Sequence, residues 1–192
     1  CIRDSPHTLG IIRSLSKLGH VVDCIGNKFC LSSFSKYLTK FIYKKSLFND
    51  ENINQFLDFL RKEKYDYLIP IGAYSVNFVN RYRALISKEL TINLAPHNSI
   101  LICLSKDKTL KFAQKYGLPI PKEYSKIFLA KYHDKYNKLP CKLVVKSKSE
   151  ISNKRVKYLF NIEEFRNMNF LKNQIIQEYI AGIGIGFFAI YD

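Results

Sequence analysis

Long apolar runs, paired cysteines and glycine-rich loops are what this sequence has least of. No stretch approaches the roughly 20 apolar residues a membrane span needs, and no secretory leader pattern opens the chain, so no membrane partner is expected. The five cysteines stand at positions 1, 24, 30, 103 and 141 with no CxxC pair and no metal-ligand spacing. An odd, scattered set of this kind argues against a disulfide framework or a zinc site, and it reads as free thiols in a reducing cytoplasm. No GxGxxG is present, which leaves dinucleotide binding without support. Acidic side chains are also short in number: 16 Asp and Glu stand against 31 Lys and Arg, a net charge of +15. Such a field favours anions such as nucleotides, acidic metabolites or nucleic acid. The excess is spread over every segment, as at Lys17, Lys62, Lys111 and Lys154. Dispersed lysines make solvated faces, and no nucleic-acid-binding motif accompanies them.

What is present is enough for a folded core. The 192 residues are 47% hydrophobic and 14% aromatic, which excludes general disorder and suits one or two domains. The chain begins at Cys1 without methionine and ends within an apolar run at Ile190-Tyr191-Asp192, and it is read as a fragment of a longer protein.

The first half alternates helical and strand-like segments. A loop over 3–8 leads to an amphipathic helix carrying Leu9, Ile12, Leu15 and Leu18, capped by Gly19, and Val21–Ile25 follows as a strand. A helix of this kind before a β-branched run is the second half of a βαβ unit, so a first strand is expected upstream of Cys1. Residues 36–43 suit a short edge strand or loop, 50–62 a helix, 65–71 a strand, 75–86 a helix and 91–95 a strand. This pattern predicts a Rossmann-like domain over 1–95 with a parallel sheet covered on both faces. From Pro96 the texture changes. Helices are expected at 98–104 and 107–116, the second stopped by Gly117, then a short strand near 124–127 and a helix at 128–138. The run Cys141–Ser147 (CKLVVKS) reads as a strand delivering Lys146 to the sheet's edge, where a phosphate could sit. Strand 156–160 would return as a hairpin, with a helix at 163–171 and strands at 174–180 and 185–191.

The succession DKTLKFAQKYGLPIPKEY (107–124), LPCKLVVKSKS (139–149) and IIQEYIAGIGIGFFAIYD (175–192), preceded by LGIIRSLSKLGHVV (9–22) and KYDYLIPIGAYSV (64–76), resembles the opening part of an ATP-grasp ligase with its pre-ATP-grasp domain. The likeness is nearest to the carboxylate–amine ligases similar to the carbamoyl-phosphate synthase large subunit. The resemblance implies an α/β protein: a Rossmann-like pre-ATP-grasp parallel sheet over 1–95, then a partial α+β ATP-grasp domain over 96–192. It implies that Lys108 and Lys146 hold ATP phosphates. It also implies that Gln177–Ile180 form the hinge strand, with Glu178 accepting from the adenine amino group, backbone near Tyr179 and Ile180 reading the ring edge, and Ile180 lining an apolar slot. The implied reaction uses Mg-ATP to turn a carboxylate into an acyl phosphate that an amine, or a thiol, captures. Small-molecule carboxylates and amines would be the partners, self-association is left open, and the magnesium ligands are expected beyond Asp192. His7 and Asp4 are candidates to face the acceptor. Two departures stand out: the tip 149–155 has no glycine, and Ile185 stands where an acidic residue would hold ribose hydroxyls. They motivate an alternative, an ATP-binding module impaired in catalysis. A basic nucleic-acid-binding protein is the remote third reading.

Overall fold

The computed structural model describes residues 6–26, 29–46, 48–152 and 155–186. It divides into two compact units, Cys1–Leu104 and Ser105–Asp192, each with its own hydrophobic core. No helix among the described residues is long and apolar enough to cross a membrane. Cys24, Cys30, Cys103 and Cys141 are free thiols; Cys1 lies outside the described residues.

In the first unit, α1 (Pro6–Lys17) starts three residues earlier than the periodicity suggests, because proline is preorganised for the first helical turn. His7 therefore sits on a helix and not in a loop, while Asp4 lies outside the described residues. The helix buries Thr8 and Ile12, and Gly19 leaves it at φ 87°, but Leu18 and Val21 are exposed. β1 (Asp23–Gly26) pairs in parallel with β2 (Lys40–Tyr43), Asp23 opposite Lys40. A single 3₁₀ turn over Asp50–Asn52 leads into α2 (Ile53–Glu63), which buries Phe56, Leu57 and Leu60 at helical spacing. β3 (Tyr67–Leu68) is shorter than expected. Pro70 cannot donate to a ladder, and Gly72 turns the chain at φ 88° into α3 (Ala73–Arg81). The expected single helix over 75–86 is interrupted at Tyr82, after which α4 (Arg83–Ile86) adds one turn. β4 (Thr91–Ile92) pairs in parallel with β3, and α5 (His97–Cys103) closes the unit.

The strands are thus parallel, as expected, but among the described residues they form two separate two-stranded sheets instead of one. The core is Phe56, Leu57, Leu60, Phe78, Val79, Ile86 and Leu90, with Phe48, Phe56 and Phe78 meeting at 5.5–5.9 Å between ring centroids.

In the second unit, α6 (Lys106–Lys115) ends as expected, with Gly117 at φ 68°. The strand expected over 124–127 is absent. Residues 122–124 instead run beside the sheet, Glu123 opposite Gln177 with Tyr124 N–H donating to Ile176 O and Glu178 N–H to Lys122 O, and Ser125 caps α7 (Lys126–Tyr136) by accepting from Phe128 N–H at 3.1 Å. α7 stops short of Lys138 because Asn137 adopts the left-handed conformation, φ 50°. β5 (Leu143–Ser147) is the centre of an antiparallel sheet between β6 (Lys157–Leu159) and β7 (Gln174–Glu178). α8 (Ile162–Arg166) is shorter than the expected 163–171, since Asn167 and Asn169 favour leaving a helix. Its start is well capped: Asn161 accepts from Glu164 N–H, and Glu164 reaches back to Phe160 N–H. Of the last expected strand, 185–191, residues 185 and 186 are not in a strand and the rest lie outside the described residues.

Candidate functional site

The register of the three-stranded sheet sorts its side chains onto two faces. Leu143, Val145 and Ser147 point to one side, where the first two join Leu129, Leu159 and Ile176 in a core closed by Phe165, Met168 and Phe170. Directly paired positions share a face. Val144 lies opposite both Tyr158 and Gln177, and Lys146 lies opposite Ile175. Glu123 joins this second face through its bridge to Gln177. The second face therefore carries Lys146, Val144, Tyr158, Ile175, Gln177 and Glu123.

Lys146 is half-buried on a central strand, not at the sheet's margin. Loss of hydration pushes its ammonium pKa below the ordinary 10.5, and the neighbouring Lys106 pushes the same way, while Glu150 and Glu123 oppose it. Lys106 Nζ stands 2.7 Å from Glu150 Oε1. The backbone holds that pairing in place: Lys106 N–H donates to Lys148 O at 2.7 Å, and Ser105 bridges Ser149. One residue on, Asp107 accepts from Ser105 Oγ at 2.5 Å, which holds its carboxyl below the usual carboxylate range. A cleft of about 340 Å³ opens beside this group, lined by Asp107, Lys111, Glu123, Lys126 and Lys148 together with the β7 residues Gln174–Ile176.

The sequence-predicted residues are only partly brought together. Lys146 and Gln177 share a face. Lys108 lies on the same helix as the cleft residues Asp107 and Lys111 but is exposed, and neither it nor Lys146 nor Gln177–Ile180 lines the cleft. Gln177 is fully buried, and its Nε2 has no acceptor among the described residues. Glu178 Oε1 accepts from Lys122 N–H at 2.8 Å, and Tyr179 N–H donates to Lys142 O at 2.8 Å, so part of the hydrogen-bonding capacity of the expected hinge strand is taken up internally. Ile180 is exposed, one residue past these bonds, and Ile185 is 93% exposed.

In the glycine-free tip, three of the described amides find partners within the tip and its flank. Lys148 N–H donates to Asn173 O, Ser149 N–H to Ser147 Oγ, Ile151 N–H to Ser149 Oγ and Ser152 N–H to Ser149 O, at 2.9–3.3 Å. Serine hydroxyls are natural substitutes for a backbone partner in such turns. Lys106, Glu150 and Glu123 were not legible as site residues. Their signal is the cross-chain pairing of 105 with 149 and 123 with 177, which no local pattern contains. Among the described residues no three His, Cys, Asp or Glu side chains converge on a metal-sized space.

The fold is one shared, in part, with solved ligase and carboxylase structures. The chain superposes on an L-amino acid ligase from Bacillus licheniformis with TM-score 0.60 and 20% identity, over 94% of this chain and 43% of that one. The biotin carboxylase domain of the Hydrogenobacter thermophilus 2-oxoglutarate carboxylase, a dimer in complex with MgADP, ADP and bicarbonate, gives 0.63 and 14% over 90% and 42%. An ADP complex of N5-carboxyaminoimidazole ribonucleotide synthetase gives 0.62 and 14% over 90% and 45%. The chain thus spans less than half the length of these structures. No family model and no curated protein matches the sequence.

Proposed function

We propose that this chain is the nucleotide-binding half of an ATP-dependent carboxylate–amine ligase, of the kind similar to the carbamoyl-phosphate synthase large subunit. The observation that carries the reading is Lys146: a partly dehydrated ammonium on the second face of the β6-β5-β7 sheet, beside a second lysine, on a fold shared with solved ligases. The residues fit a nucleotide. Lys146 would hold its phosphates, joined by Lys108 on α6. Gln177 Nε2, a buried donor without an acceptor, suits a ring nitrogen, and Glu178, Tyr179 and Ile180 would supply the purine's edge contacts and apolar slot. Bound ATP supplies a phosphoryl group that makes a carboxylate reactive toward an amine. The chain's own part is to neutralise charge and fix position, which lysines do without covalent chemistry. The described residues offer no carboxylate set for Mg²⁺.

One observation favours a second reading, an ATP-binding module without turnover: the Ser149, Ile151 and Ser152 amides of the tip are bonded internally and not presented to a phosphate. The test is thermal stabilisation by ATP of the full-length protein and its Lys146→Ala variant, followed by assay of ADP release with carboxylates and amines. At 100 times Kd, ATP should stabilise the native state by about 2.7 kcal/mol, and the variant should lose most of that. An equal shift in both would remove Lys146 from the site. Binding without ADP release would select the second reading.

A further inference from the structure

The nucleotide reading leaves Glu150 without a task. It stands in a tip flanked by Lys148 and Arg155, and its carboxylate reaches into the basic group on the sheet's second face. The contact with Lys106 is not a chance meeting of two long side chains, because the Lys106-to-Lys148 backbone bond and the Ser105–Ser149 bridge set both residues in place. Lys106 is the better shielded partner, its side chain 24% exposed against 45% for Glu150. Lys146 senses both: the Lys106 charge disfavours its protonated form and the Glu150 charge favours it. Glu150 is thus ion-paired to one lysine and acts on a second, as an anion filling a basic site from within would, with Glu123 adding a further negative charge on Lys146.

We propose that Glu150 is a resident anion, occupying in the ligand-free protein the place that a polyphosphate takes when it binds. Its exchange for a ligand spares Lys106 from standing unpaired in a partly dehydrated setting, which a buried or half-buried charge tolerates poorly. The device also selects among ligands. A monoanion that replaces Glu150 exchanges one single charge for another, whereas a polyphosphate spans Lys106 and Lys146 together and gains more than it displaces. Glu150 therefore lowers affinity for all anions while leaving polyphosphates preferred over carboxylates and monophosphates.

The inference rests on Lys146 as a phosphate contact, but the two can fail separately when inorganic tripolyphosphate and ATP are titrated side by side at low salt. Glu150→Gln, on an exposed tip, should tighten tripolyphosphate about threefold to fivefold, the scale of one partly exposed ion pair. Lys106→Gln should weaken binding more in the Glu150→Gln background than in the unmodified protein, because only there is Lys106 fully available to the ligand. Unchanged or weaker binding by Glu150→Gln, equal costs of Lys106→Gln in both backgrounds, or no tripolyphosphate binding by any form would overturn the proposal. Tightened tripolyphosphate with no binding of ATP would uphold it and overturn the nucleotide reading. ATP binding indifferent to Glu150 would do the reverse.

Discussion

Replacing Lys146 by methionine should make the ligand-free protein more stable at neutral pH, even though it damages the proposed site. Lys146 buries its stem on the second face of β5 but holds an ammonium where hydration is reduced, with Lys106 near and Glu150 and Glu123 only partly compensating. Its pKa is therefore lower folded than unfolded. Between those two values the unfolded chain binds more protons, so stability climbs with pH through that window and the full penalty applies below it. Methionine keeps the stem's packing and removes the charge. Because a good part of the side chain sees water, the gain is limited to about 1 kcal/mol or less. For a unit of this size that corresponds to a rise of at most about 4–8 °C in the melting temperature of Ser105–Asp192. The assay is thermal unfolding by circular dichroism at a series of pH values from 7 upward. The difference between variant and parent should be largest at pH 7 and shrink toward the ordinary lysine value of 10.5. A variant less stable than the parent at pH 7 would refute the reasoning, since it would mean that the two glutamates more than repay the lost hydration.

Two further outcomes test the cores and their links. Tyr65 O–H donates to Asp23 Oδ2 at 2.8 Å, while Asp23 Oδ1 is buried without a partner. Tyr65→Phe should therefore leave a half-buried carboxylate unbonded and destabilise the first unit by about 1–3 kcal/mol, measured by urea unfolding; an unchanged midpoint would mean that water replaces the phenol. Leu143 is fully buried at the centre of the second core, so Leu143→Ala should cost about 2–5 kcal/mol there. Amide exchange should then quicken in β5–β7 and not in α2 or α3, and uniform quickening would show that the two cores unfold as one.

The elements with strong periodicity were legible in the sequence. The Phe56-Leu57-Leu60 face of α2, the Gly117 stop and the Lys146 strand all follow from local chemistry. So does the hairpin that returns at Lys157–Leu159. What failed were ends decided by a single backbone event: Pro6 starting α1, Ser125 capping α7 where a strand was expected, and Asn137 turning left-handed. The single parallel sheet expected in the first unit is two pairs among the described residues. The partners of the candidate site were hidden for a different reason. A sequence shows that Lys146 ends an apolar run, but Lys106, Glu150 and Glu123 reach it through pairings between segments more than 40 residues apart.

The serine-bonded part of the tip carries an entropic consequence. A glycine-rich loop arrives at a phosphate as a wide ensemble and loses that freedom on closing, a cost that subtracts from affinity. Here Ser147 and Ser149 hold the amides of Ser149, Ile151 and Ser152 in internal bonds, so this stretch has less freedom left to lose. With those amides engaged, an anion at the proposed site would be held by side-chain charge, and its binding should weaken as salt is added.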